Sequence, residues 1–114
     1  MINWPALIKH AEDAELDYVE DLQAWESDSE RCTFDYDESD YMIDSTGAVF
    51  SLVAKTNRNR VVPEPTGEYK SLEQVLGLVK AHAAQADFCC VAKLFAPSIV
   101  DAMAMVKALN SQDQ

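Results

Sequence analysis

The chain has 114 residues, of which 48% are hydrophobic and 25% are charged, a composition typical of folded globular domains and unlike that of disordered segments. Its length predicts one domain, spanning residues 1–114, that folds without disulfides. The formal net charge of −11 opposes binding to DNA, RNA or an anionic membrane surface.

The first part of the chain is predicted to form two strands and a short helix. Apolar and alternating residues indicate strands near residues 6–10 and 15–20. Asp21 is a candidate N-cap for the helix that follows, in which Leu22 and Trp25 are three residues apart. Because it has few other apolar residues, this helix is expected to be mostly solvated.

A β-hairpin is predicted next. The segments YMIDS and AVFSLVAKT flank Gly47, and a tight turn there would use the access of glycine to positive φ. Strand alternation would place Met42 and Asp44 on one face of the sheet and Tyr41 and Ile43 on the other.

The residues after this hairpin are predicted to be largely irregular. NRNR, residues 57–60, indicates a turn, and a brief VV strand follows it. PEPTG contains two prolines and a glycine and is therefore predicted to be a loop. Arg58 and Arg60 could grip an anion, but the flanking asparagines favour an ordinary exposed turn.

The C-terminal third has the clearest helical signals. Ser71 and Gln74 form a capping-box pattern before apolar residues at helical spacing, which predicts a helix from 72 to about 84. The apolar run FCCVAKLF predicts a buried strand over residues 88–94. Ser98 is then the expected N-cap of a final amphipathic helix.

These elements predict an α+β fold with the order ββαββ(β)αβα. We expect a single two-layer domain, with a mainly antiparallel sheet and two C-terminal helices packed on it. The position of the 88–94 strand within this sheet does not follow from the sequence.

The negative charge is concentrated in residues 12–44, which we call the acidic segment. It has 14 Asp and Glu and one basic residue, Arg31, so it carries −13 while the rest of the chain carries +2. Such a distribution attracts basic proteins or cations. The leading hypothesis is a non-enzymatic interaction module that docks on a basic protein surface, with no nucleic-acid or membrane partner and an oligomeric state left open. The candidate partner-binding residues are Asp17, Tyr18, Trp25, Asp35, Tyr36, Asp37, Glu38 and Asp40.

A divalent-cation site is the second hypothesis. Its candidate ligands are the carboxylates of Asp35, Asp37, Asp40 and Asp44. A helix-loop-helix calcium site would need glycine at the sixth position and glutamate at the twelfth, where this chain has Asp40 and Thr46. The pattern therefore favours a solvated acidic loop that binds cations weakly.

An enzyme with a spatially assembled site is the third hypothesis. No catalytic motif or cofactor-binding motif is recognisable, so no cofactor and no catalytic residue is predicted. A cleft would be built around His82 or around Cys89 and Cys90, although neighbouring cysteines on a strand point to opposite faces and are typical of a core. His10 ends the first predicted strand and has no partner nearby in the sequence.

Features related to location favour the cytoplasm. The apolar runs are shorter than a membrane span, and MINWPALIKHAEDAEL does not resemble a secretion signal. Cysteine usage agrees, because an odd number of cysteines with an adjacent pair is a poor framework for disulfides.

The segments INWPALIKH, FDYDESDYMIDSTG and KLFAPSIVDAM resemble a family of small acidic uncharacterised proteins, a domain of unknown function, from marine gammaproteobacteria. The resemblance covers nearly the whole chain. It implies a bacterial cytoplasmic setting, and it supplies no activity, cofactor or catalytic residue that could be carried over.

Overall fold

Five strands form in the computed structural model, which describes residues 1–86 and 91–111. The strands are β1 (Ala6–Lys9), β2 (Leu16–Val19), β3 (Tyr41–Asp44), β4 (Ala48–Ser51) and β5 (Glu64–Tyr69). They form one antiparallel sheet in the order β2-β1-β3-β4-β5. The helices are α1 (Leu22–Ser27), α2 (Leu72–Gln85) and α3 (Ile99–Ser111), with short 3-10 turns at Arg31–Thr33 and Val91–Lys93. The predicted α+β class and antiparallel sheet are confirmed.

The sheet buries apolar side chains on both faces, because successive residues of a strand point in opposite directions. On one face, α2 and α3 pack over the first core, which includes Leu7, Leu16, Ile43, Val79 and Met103. On the other face, α1 and the 3-10 turn that follows it cover a second core, which includes Ile8, Val19, Trp25, Met42 and Phe50. The two-layer prediction was therefore incomplete, since residues 21–40 of the acidic segment form a further layer.

Local hydrogen bonds explain where the helices begin. The Asp21 carboxylate accepts from the backbone N–H of Ala24 at 2.8 Å and caps α1. Ser71 and Gln74 form the predicted capping box, with reciprocal bonds of 3.1 Å and 2.8 Å. Ser98 Oγ accepts from the N–H of Asp101 at 3.2 Å before α3.

The β3–β4 hairpin forms as predicted and depends on one glycine. Gly47 has a φ of +89°, and its carbonyl accepts from Lys70 N–H at 2.8 Å. A Cβ at this position would lie 2.3 Å from the Lys70 carbonyl oxygen. Glycine is therefore required both by the backbone conformation and by the close approach of the chain that follows β5.

Two strand predictions were wrong. Residues 64–67 of PEPTG belong to β5 and are not a loop, because an edge strand hydrogen-bonds on one side only and so tolerates Pro65 opposite Phe50. The VV segment provides only an isolated bridge between Val61 and Lys55. All six residues of β5 are exposed, so no burial pattern marked it as a strand.

The late strand predicted over residues 88–94 is not supported where the structure describes that range. Residues 91–93 form a 3-10 turn, and residues 88–90, including Cys89 and Cys90, lie outside the described residues. The expected order ββαββ(β)αβα therefore lacks its last strand in the described part of the chain. Over residues 1–86 and 91–111, no helix combines the length and the apolar character that crossing a bilayer requires.

Candidate functional site

Charged and aromatic side chains meet at a small depression on the acidic side of the sheet. It lies between the ends of β1 and β2 and the segment that follows α1, and its volume is about 220 Å³. We call it the His10 cleft. It is lined by His10, Asp17, Asp28, Glu30, Arg31, Phe34 and Tyr36.

Three rings form the aromatic part of the cleft. The His10 ring stacks on Tyr36 with centroids 5.6 Å apart, and Phe34 contacts His10 edge-on at 5.4 Å. Tyr36 is buried, its hydroxyl donates to the Arg31 carbonyl at 2.9 Å, and burial raises its pKa, so the phenol stays protonated. Phe34 is 49% exposed. The cleft therefore has a buried floor formed by Tyr36 and an aromatic wall formed by Phe34 that faces solvent.

Two carboxylates flank the His10 ring. Asp17 Oδ2 lies 3.9 Å from Nε2, and Asp40 Oδ2 lies 3.9 Å from Nδ1, which is beyond ordinary hydrogen-bond length. Asp40 is buried, and its two oxygens accept backbone N–H bonds of 2.8 Å from Ala11 and Asp37. Asp40 therefore holds the β1–β2 turn against the chain before β3, and its oxygens are not open to a ligand from solvent.

The rim of the cleft is negative. Asp17, Asp28 and Glu30 contribute three carboxylates against the single guanidinium of Arg31. Arg31 Nη1 lies 3.4 Å from Asp28 Oδ2, so this cation is directed to one of the three acids. The remaining two carboxylates leave an electrostatic preference for a positively charged group.

Asp44 has a structural role and is not placed to bind a metal ion at the surface. It is fully buried, and Oδ1 accepts from Thr46 N–H, Thr46 Oγ1 and Ala48 N–H at 2.9, 2.6 and 3.1 Å. Oδ2 accepts from Asn3 N–H at 3.0 Å. Burial acts to raise the pKa of Asp44, but the hydrogen bonds from Thr46, Asn3 and Ala48 together hold it below its ordinary value. The carboxylate thus closes the hairpin and fixes the N-terminal segment.

The structure does not bring the four candidate metal ligands together. Asp35 forms an ion pair with Lys55, and Asp37 accepts from the N–H of Ser39 at 2.9 Å within its own turn. Asp40 and Asp44 direct their oxygens at backbone donors. Within residues 1–86 and 91–111, no three His, Cys, Asp or Glu side chains are arranged to hold a metal ion.

The other partner-binding candidates are dispersed. Trp25 is only 5% exposed and belongs to the core, so its side chain does not offer a surface anchor, although the rest of α1 is mostly solvated as predicted. Tyr18 lies on the opposite face of β2, where the Lys107 ammonium is 5.6 Å from its ring centroid. Glu38 is exposed and lies beside β3–β5, away from the His10 cleft. Of the eight candidates, only Asp17 and Tyr36 line the cleft.

Sequence reasoning missed five of the seven residues of the cleft, although part of the signal was present; these are His10, Asp28, Glu30, Arg31 and Phe34. Strand alternation places His10 on the same face as Ile8, which pairs with Asp17, so these neighbours were accessible from the two predicted strands. Asp28, Glu30 and Phe34 approach them only because the chain after α1 folds back over this face.

His82 borders a second and larger cavity, of about 370 Å³, but its ring is committed to the fold. Leu16 N–H donates to Nδ1 at 3.0 Å, which leaves the ring proton on Nε2, and Nε2 donates to Asn110 Oδ1 at 3.0 Å. Asn110 Nδ2 in turn donates to the Leu16 carbonyl at 3.3 Å. Both nitrogens of this buried ring are used to satisfy edge strand β2, so His82 does not supply a base or a metal ligand.

Comparison with known proteins finds a solved structure and a family that are similar to this chain. A solved structure described as the NMR structure of the protein from Shewanella Amazonensis is similar at a TM-score of 0.68 and 24% identity, over 96% of this chain and 90% of that one. That likeness shows a shared fold. No functionally curated protein matches the chain. The profile of one family matches residues 4–106, and on this match the chain belongs to the DUF4144 family, described as a protein structure with unknown function.

Proposed function

We propose that the protein is a non-enzymatic interaction module whose acidic segment docks on a basic surface of another protein. The observation that carries the proposal is the placement of residues 21–40, the central part of the acidic segment, as a layer over one face of the sheet. Of the 14 carboxylates of the acidic segment only Asp40 and Asp44 are buried, and the others reach the surface. The two long helices lie on the opposite face, so the carboxylates of residues 21–40 lie on the side of the sheet away from them, whereas Glu20 pairs with Lys107 of α3.

In this proposal, exposed apolar side chains within this layer slow the dissociation of the docked complex. Charge complementarity acts mainly on the association rate and on partner choice, whereas desolvated aromatic or aliphatic side chains account for most of the binding energy. Phe34 and Leu22 have this role in our proposal, because both belong to the acidic segment and are about half exposed, at 49% and 51%. They replace the buried Trp25 and Tyr36 of the sequence-based hypothesis.

The proposal places this interaction in the bacterial cytoplasm, within a family of acidic proteins. The buried thiol of Cys32 is compatible with a reducing compartment. Nucleic acids and anionic membranes are excluded as partners in this proposal, because their phosphates would be repelled by the −13 charge of residues 12–44.

Capture of partners from a bacterial lysate over a salt series tests the proposal. The immobilised protein is expected to retain basic proteins at low salt and to release them progressively between roughly 50 mM and 500 mM salt, since the Debye length falls over this range. Retention that does not change with salt would contradict docking by charge.

A matched pair of variants locates the docking surface. The test variant carries Asp35→Asn, Asp37→Asn and Glu38→Gln, all at exposed positions, and it leaves the structural Asp40 intact. The control carries Glu64→Gln, Glu68→Gln and Glu73→Gln, which removes the same charge from exposed positions outside the acidic segment. We expect weaker capture by the test variant only. Equal capture by both variants and by the unmodified protein would refute the assignment.

A further inference from the structure

We propose that the His10 cleft receives a single arginine side chain of the basic partner, an inference that rests on the proposed function and specifies its chemistry. The cleft joins an aromatic wall, an acidic rim and a small volume in one place. Each of these three properties limits what the cleft can bind.

The small volume of the His10 cleft favours the binding of one side chain over the binding of a larger ligand. Pockets for small molecules and cofactors have volumes of roughly 300–1,000 Å³. The His10 cleft has about 220 Å³, which is too small for a dinucleotide or a similar cofactor. A long side chain entering from a partner surface needs only a depression of this size, because the rest of the contact forms outside it.

The carboxylates on the rim favour a cation, and the chain does not provide one for all of them. Arg31 pairs with Asp28 at 3.4 Å. In the described part of the chain, no lysine or arginine pairs with Asp17 or Glu30, and the only ion-pair neighbour of Asp17 is the His10 ring at 3.9 Å. Two carboxylates at the mouth are thus available to a cation from outside.

The aromatic wall favours arginine over lysine. A guanidinium is planar and weakly hydrated, so it stacks on an aromatic ring while its N–H groups form a fork with carboxylates. The half-exposed Phe34 ring and the carboxylates of Asp17 and Glu30 offer both types of contact at one mouth. An ammonium group is a compact and strongly hydrated charge, and it would use the carboxylates but gain less from the ring.

The test uses peptides of defined charge and the ¹⁵N-labelled protein at low salt. Three capped glycine-rich peptides carry one central residue each, which is arginine, lysine or the neutral arginine analogue citrulline. We expect the arginine peptide to shift the amide resonances of His10 and Phe34 in a saturable way, and the citrulline peptide to bind at least about fivefold more weakly. The lysine peptide should lie between them.

Variants at the wall separate stacking from charge. Phe34→Leu keeps an apolar side chain but removes the ring, and Phe34→Tyr keeps the ring. We expect Phe34→Leu to weaken arginine-peptide binding about threefold or more and Phe34→Tyr to retain it, with unchanged spectra elsewhere because Phe34 is half exposed. Glu30→Gln should weaken binding, whereas Glu12→Gln and Glu38→Gln, at exposed positions of the acidic segment outside the cleft, should leave it nearly unchanged.

The outcomes distinguish this inference from the proposed function. Equal losses in Glu30→Gln, Glu12→Gln and Glu38→Gln, with no effect of Phe34→Leu, would refute a cleft for arginine and leave docking by diffuse charge in place. Absence of saturable shifts with the arginine peptide would likewise overturn the inference, while salt-dependent capture from lysate tests the proposed function separately. Arginine-selective binding that Phe34→Leu and Glu30→Gln both weaken would support it.

Discussion

Asp44 has a structural role in the core, although its sequence context indicates a carboxylate at the surface. It lies at the end of an acid-rich stretch, yet it is fully buried and accepts hydrogen bonds from Asn3, Thr46 and Ala48. Hydrogen bonds to an ionised group are stronger than those between neutral groups, and a buried charge without them would be costly. The residue is retained in the core because all the donors needed to stabilise it are supplied there.

We predict that Asp44→Asn lowers the free energy of unfolding by about 2 kcal/mol, because the amide group replaces one acceptor oxygen with a donor that faces other donors. Chemical denaturation measures this change. Asp37→Asn is the matched control, since Asp37 is exposed and its substitution should change stability by less than about 0.5 kcal/mol.

The same prediction has a dependence on pH. The folded-state pKa of Asp44 lies below its ordinary value of 3.8, so its stabilisation is complete above that value and is lost as the pH falls through the folded-state pKa. The stability difference between the unmodified protein and Asp44→Asn should therefore shrink below about pH 4. A difference that stays constant down to pH 2 would show that the lost interaction does not involve the ionised carboxylate.

At the scale of elements, the β3–β4 hairpin and edge strand β2 are each secured by contacts with a distant part of the chain. Gly47 accepts from Lys70 N–H at 2.8 Å, which ties the hairpin turn to the residue that follows β5. Leu16 of β2 is bonded through its N–H and its carbonyl to His82 of α2 and Asn110 of α3. Both contacts satisfy backbone groups that the sheet itself leaves open.

Substitution by alanine is expected to have opposite effects on stability at two glycines, Gly47 and Gly77. Gly47→Ala places a Cβ 2.3 Å from the Lys70 carbonyl oxygen at a positive φ, so we expect a loss of at least about 2 kcal/mol in the free energy of unfolding. Gly77→Ala lies in α2 with no atom within 4 Å of the new Cβ, and it should raise stability by about 0.5–1 kcal/mol. Thermal or chemical denaturation compares them directly. Similar effects of both substitutions would contradict this account.

The His82 contact makes a prediction for the edge of the sheet. His82→Ala leaves the Leu16 N–H without its acceptor, and we expect a loss of about 1–3 kcal/mol in stability together with faster hydrogen exchange of the Leu16 amide. Amides of the central strand β3 serve as the internal control. If the Leu16 amide is protected equally in both proteins, His82 does not secure the edge strand.

At the scale of the whole molecule, the sheet separates two kinds of surface. Residues 21–40 of the acidic segment cover one face, and the two long helices cover the other. Residues 21–40 carry eight carboxylates and one arginine, and this concentration of negative charge underlies the proposed docking on a basic partner. The His10 cleft lies within the acidic layer, so attraction at long range and selection at short range would act at the same surface.

Local chemistry made part of the fold predictable from the sequence. The capping box of Ser71 and Gln74 links residues three positions apart, and the turn at Gly47 follows from the conformational freedom of one residue. Alternation over β1 to β4 indicated strands because these strands are buried on at least one face. Exposed β5 lacked that pattern and was missed.

The sequence by itself determined the charge of the acidic segment, the starts of the long helices and the hairpin, because each depends on composition or on neighbours along the chain. The tertiary structure alone decided that Asp44 is buried, that His82 serves the edge strand and that His10 and Phe34 form a cleft. These outcomes depend on partners such as Asn3 and Asp44, 41 positions apart, or Leu16 and His82, 66 positions apart. Contacts at such separations exist only after the sheet and its covering layers have assembled, and local patterns carry no record of them.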